Sequence, residues 1–145
     1  MINKILEKLK TISGVTVREG FYAQSVAKEE KFIFLQPYTS AATVPGMQPK
    51  YKEDLKLQIV AGIKLPKSAT PTADLIDLTR TIRSAFFKDQ RDPKRPQWLP
   101  TGFELSESEP CKFIMPEAHE QHGLAVITLS ISTSPQFDDR LKELP

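Results

Sequence analysis

Cysteine is nearly absent from this chain of 145 residues: Cys111 stands alone, so no intramolecular disulfide can form, and a reducing cytoplasm is the compartment that fits. No apolar run approaches the roughly eighteen residues a membrane-spanning helix needs. The N-terminal MINKILEKLK mixes acid and base among its apolar residues, which a signal peptide does not. With only six glycines there is no glycine-rich phosphate loop, and no serine sits in a G-x-S-x-G elbow. Charge of one sign is lacking too: the formal net charge is +2, so bulk electrostatics names no partner.

Histidine is scarce as well, with two residues, both in HEQH at 119–122. A zincin helix carries its histidines four apart with glutamate next to the first; here they are three apart, between Pro116 and Gly123. The expected reading is an exposed turn before a strand. Nucleophilic catalysis needs a base beside its nucleophile, and no other histidine is available. Cys111, after Pro110 and leading an apolar stretch, reads as a small buried hydrophobe. The expectation is a protein that is not an enzyme, with no cofactor and no metal.

What is present is a globular composition, 39% hydrophobic and 26% charged, of a length that suits a single domain over 1–145 with its own core. Twelve prolines cluster at 37–49, 66–71, 93–100 and 110–116, which marks the connections. Ile2, Ile5, Leu6, Leu9 and Ile12 recur at helical spacing and predict a helix over 2–11. VTVRE at 15–19 reads as a short strand, and KFIFLQPY at 31–38 as a better one, stopped by Pro37. A loop over 39–52 follows, long and without periodicity, expected to pack poorly on its own subunit.

LKLQIVAGIKL at 55–65 alternates strictly, with Leu55, Leu57, Ile59, Ala61, Ile63 and Leu65 on one side. At about 3.3 Å per residue it would run about 36 Å. Thr70 as N-cap, Pro71 at the first helical position and Asp74 in the first turn open a helix over 72–87, whose apolar side is Leu75, Ile76, Leu78, Ile82, Ala85 and Phe86. GFELSESE and CKFIM read as short strands, and 123–133 as a second long one with Thr128, Ser130 and Ser132 on its polar side. The tail over 134–145 is expected to be loosely held. This order predicts an α+β fold, a mostly antiparallel mixed sheet with two helices packed on one face. The other face, with Lys56, Gln58 and Lys64, is left wet.

Arg80, Arg83, Lys88, Arg91, Lys94 and Arg95 form a basic cluster, set against Asp89 and Asp92. Trp98 is the one nearby aromatic expected to be free for stacking on bases. The plainer reading is a solvated helix end whose bases suit the dipole.

The segments FIFLQPY, YKEDLKLQIVAGIKLP, DLIDLTRTIRSAFF, QWLPTGFELSESEP and HGLAVITLSIST, in this order, resemble the tail terminator proteins of long-tailed bacteriophages, including the minor tail protein U type. That resemblance implies a virion protein, made in the host bacterial cytoplasm, that assembles as a hexameric ring on the head-proximal end of the tail tube. There it would end polymerisation and present a surface to the head completion or neck protein. The one-sided sheet without a catalytic constellation adds the expectation of a monomeric or weakly associated chain when dilute. The implied partners are further copies of the chain, the tail tube protein and the neck protein, with no membrane and no specific nucleic acid. The resemblance carries over no catalytic residues. The candidate interface residues come from the reading of the chain itself: Val44, Met47, Tyr51, Lys56, Gln58, Lys64, Arg80, Arg83, Arg91 and Arg95. Two other readings stand beside it: a head-to-tail connector or other tail completion subunit, and a small nucleic-acid-binding protein using the cluster at 80–95.

Overall fold

In the computed structural model, the structure describes residues 1–24, 27–46, 49–117 and 119–143. A helix, α1 (Ile2–Lys10), precedes three strands, β1 (Thr16–Glu19), β2 (Lys31–Thr43) and β3 (Lys52–Lys64). Helix α2 (Pro71–Phe87) follows, then β4 (Glu104–Glu107), β5 (Lys112–Ile114) and β6 (His122–Thr133). The strands form one mixed sheet in the order β1-β2-β3-β6-β4, with β5 also on β6. Only β1 and β2 run parallel; every other pair is antiparallel. The fold is α+β, as the element order predicts.

Both helices bury their apolar stripes on one face of the sheet. Ile5 and Leu9 of α1 and Leu75, Leu78, Ile82 and Phe86 of α2 join Ile33, Leu35, Leu57, Ile59, Ala61, Ile127, Leu129 and Ile131 in the main core. Those strand residues alternate along β2, β3 and β6, so the period of two places them on the same side. Cys111, expected to be buried, packs only half-buried against this core. Burial pushes its thiol pKa up.

Five expectations are corrected. Pro37 does not stop its strand. It pairs with Leu57, a bulge at Tyr38 shifts the register so that Thr39 faces Lys56, and the ladder continues to Thr43 opposite Lys52. β1 reaches only as far as Leu35, so Pro37 lies where the outer edge of β2 is free and a missing N–H is tolerated. Of the loop expected over 39–52, the first five residues belong to β2 and Lys52 to β3.

The tail is not wholly loose. The Tyr51 N–H donates to the Pro135 carbonyl at 3.1 Å and that of Phe137 to Pro49 at 3.3 Å. Lys50 bridges to Gln136, and the Tyr51 and Phe137 rings stack at 5.0 Å. The end of the hairpin loop and the start of the tail hold each other.

The second face is not wet along its whole length. Residues 20–24 and 27–30 lie across one half of it, where Ala27, Phe32, Phe34, Val60 and Leu124 form a second, smaller core with Tyr22 and Val126 against it. Tyr22 stacks on Phe32 and meets Phe34 edge-on, each at 5.6 Å. His122, expected on an exposed turn, is instead buried as the first residue of β6. Its Nε2 lies 2.7 Å from the Glu29 carbonyl and its ring 5.0 Å from that of Phe32. His119 remains exposed.

Candidate interface

The other half of the second face is polar. By register, Thr39, Ala41 and Thr43 of β2, Lys52, Asp54, Lys56 and Gln58 of β3, and Thr128, Ser130 and Ser132 of β6 share it. Most stay exposed or half-buried, but Thr128, at 3% exposed, and Ser130 are buried in the central strand, contrary to the fully wet face expected. The Ser130 hydroxyl donates to Asp54 across the β6–β3 pair. Gln36 orders the boundary between the two halves. Its Oε1 accepts from the Tyr22 N–H at 2.9 Å, while its Nε2 donates to Gln58 Oε1 at 3.1 Å. Toward the far end lies a shallow trough of about 460 Å³, whose lining includes Ala41, Lys52, Asp54, Glu104 and Ser132.

From Pro37 to Thr43 every residue of β2 is exposed. The far part of β2 is therefore an edge arm that its own subunit covers with little, while β3 beside it is paired on both sides, with β2 and with β6. Val44, at 58% exposed, stands past the end of β2. Lys56 and Gln58 lie on the arm's polar side. Met47 falls outside the described residues. Tyr51, expected to reach a neighbour, is engaged with Phe137. Lys64 sits apart at the other end of β3, its N–H donated to the Glu30 carbonyl at 2.7 Å.

Two of the four candidate arginines are engaged by carboxylates. Arg83 grips Glu107 with two parallel bonds, Nε to Oε1 and Nη2 to Oε2, each 2.8 Å, tying α2 to β4. Arg95 pairs with Glu104 and approaches Asp92. Arg80 lies exposed on α2 beside residues of the turn after α1, and Arg91 is exposed in the crossing segment. Trp98, expected to be free, stacks on Phe86 at 5.6 Å and donates its indole N–H to the Phe86 carbonyl at 3.0 Å. A basic groove with a stacking platform is not assembled here.

Sequence reasoning missed Phe113, Ile114 and Met115, all exposed, on and just after β5. A signal was there: three successive apolar residues before Pro116 cannot all point into one core from a strand of period two. Phe21 and Tyr38 are exposed aromatics on the opposite side of the sheet. Among the described residues, no group of three or more His, Cys, Asp or Glu is placed to hold a metal ion, and no helix is long and apolar enough to cross a membrane.

No protein-family model matches the chain, and no curated protein matches it.

Proposed function

We propose that the protein is a structural subunit of a tailed-phage virion that closes into a ring on the head-proximal end of the tail tube, ends tube polymerisation and offers a surface to the neck. The resemblance in element order and character suggested this reading. The observation that carries it is the far half of β2, a stretch of edge strand exposed from Pro37 to Thr43 and paired on one side only. A chain that spends ordered strand outside its core has a surface fit for a neighbour, and repeated use of such a surface by identical copies generates a ring when the rotation closes. The nucleic-acid reading is weakened by the pairing of Arg83 and Arg95 with glutamates and by the engaged indole of Trp98.

The test is electron microscopy of the purified chain mixed with purified tail tubes. The expected result is a ring of density on one end of each tube and tubes that no longer elongate when tube protein is added. Tubes that keep elongating, with no added density at either end, would overturn the proposal.

A further inference from the structure

We propose that copies of this chain join edge to edge, with β5 of one copy pairing antiparallel to the free outer edge of β2, over 36–43, of the next. The choice of a second copy as occupant rests on the ring reading above; the contacts themselves are argued from the two sheet edges.

Both edges are open. β1 covers β2 only from Phe32 to Leu35, and β5 is paired through β6 alone. Natural sheets guard such edges with charge, above all lysine, or cover them. Here residues 36–46, QPYTSAATVPG, carry no charge, and β5 carries one, the exposed Lys112 at its first residue, ahead of the uncharged Phe113, Ile114 and Met115. The other strand on that side, β4, is guarded: Glu104 and Glu107 are bound to Arg95 and Arg83, and the Leu105 N–H donates outward to the Lys94 carbonyl at 2.8 Å.

The strand directions fit. β2 and β6 both run against β3, and β5 runs against β6, so β5 runs against β2. When the sheet continues from one copy into the next without inversion, the new pair is antiparallel, the more stable arrangement per residue.

The geometry also permits closure. Phe113 is level with Ile33, through Ala125 and Ala61. The middle of the free β2 edge lies about six residues further along, roughly 20 Å at about 3.3 Å per residue. Four strand spacings of about 4.8 Å, roughly 19 Å, separate one copy's β2 from the next. A step of 20 Å along for 19 Å across tilts the strands by about 45°, at the upper end of the 35–45° range found in closed barrels. The stagger is then taken up as tilt, and the association closes.

The antiparallel sense places Ile114 and Met115 of one copy at the Gln36 end of the next. Phe21 stands there, because the Gly20 N–H bonds the Leu35 carbonyl and the Tyr22 N–H bonds Gln36, and Tyr38 follows two residues on. Met115 and Phe21 are each 71% exposed in the single subunit. Exposed apolar groups from opposite ends of the sheet are brought into contact by the same pairing that satisfies the edges.

The experiment measures self-association of the full chain by sedimentation over a concentration series and by microscopy on tail tubes. Met115→Glu and Tyr38→Lys should each weaken association by about tenfold or more, with near-ultraviolet dichroism unchanged. Combined in one chain, so that the new carboxylate and ammonium meet across the joint, they should restore much of it. Should Tyr38→Lys not fold, Phe21→Lys takes its place. Single variants that associate like the parent chain, or a double variant weaker than both, would overturn the edge pairing while the parent's rings leave the ring reading standing. A parent chain that forms no oligomer in solution and no ring on tubes would overturn both.

Discussion

The Phe32 ring lies across Gly62 on the neighbouring strand: a Cβ at that glycine would stand 2.2 Å from the ring's Cζ. The glycine is an opening in the sheet surface through which an aromatic from β2 covers β3. Tyr22 and His122 close the ring in from other sides.

Gly62→Ala therefore sets two effects against each other. Replacing a strand glycine would ordinarily gain roughly 0.5–1 kcal/mol from reduced backbone entropy. Overpacking a buried ring with no room to retreat costs about 1–3 kcal/mol. The second should win, and urea denaturation should show a lower midpoint. Adding Phe32→Leu to Gly62→Ala should cost less than the sum of the two single changes. An unchanged midpoint for Gly62→Ala would mean that the ring can move aside.

Ile82 is fully buried on α2, in the middle of the main core. Ile82→Ala should destabilise by about 2–5 kcal/mol. Ile76→Ala, on the half-buried side of the same helix, should cost clearly less. Equal costs in chemical denaturation would show that the buried stripe of α2 has been misplaced.

Arg83 and Glu107 make a bidentate pair whose side chains are 42% and 20% exposed. The hydrogen bonds that the guanidinium donates to Glu107 raise its pKa above its ordinary value. Because solvent screens a pair this open, a double-mutant cycle with Arg83→Met and Glu107→Gln should return a coupling of about 0.5–1 kcal/mol, shrinking in high salt. A coupling of zero would mean that the fork does not hold α2 to β4. Retention of DNA, if any is measured, should not change with Arg83→Met.

The Asp74 carboxyl is held below its ordinary pKa, first by the hydrogen bond from the Ser68 hydroxyl; desolvation opposes this, and the Thr70 hydroxyl and the charge of Lys31 add to the lowering. A depressed folded-state value means that its stabilising contribution is present at neutral pH. It begins to fade below the ordinary value of about 3.9 and is lost as pH falls through the lowered one. Asp74→Asn should flatten the acid limb of the stability profile, and Ser68→Ala should move the Asp74 titration, followed by carboxyl NMR, upward. A titration that ignores Ser68→Ala would remove that hydroxyl as the cause.

Reading the chain for periodicity recovers what is local. The alternation of 55–65 and the stripe of Leu75, Leu78, Ile82 and Phe86 name their elements because side-chain spacing within one segment decides which face it can bury. The Thr70 and Pro71 start of α2 is legible for the same reason, although the Thr70 hydroxyl serves Asp74 rather than the helix backbone. The arm was not legible. TSAAT has neither strong strand propensity nor alternation, and its strand forms because residues 52–56 lie alongside to complete the ladder.

The candidate interface was only partly visible in the chain. Val44, Lys56 and Gln58 can be placed beside an open surface from sequence, but Arg83 and Arg95 are taken by glutamates 24 and 9 residues away, and Tyr51 by a ring in the tail. Which charges are free depends on the partners that folding brings within reach.

The chain by itself determined the α+β class, the two helices and their shared sheet face, because apolar side chains at fixed periods leave few ways to be buried. Only the tertiary structure decided that Tyr22 and Ala27 cover part of the second face, that β2 runs through Pro37, and that Phe113, Ile114 and Met115 stay outside. Each of these turns on contacts between segments distant in sequence, where hydrogen-bond partners and covered area are set by the assembled sheet rather than by any one stretch of residues.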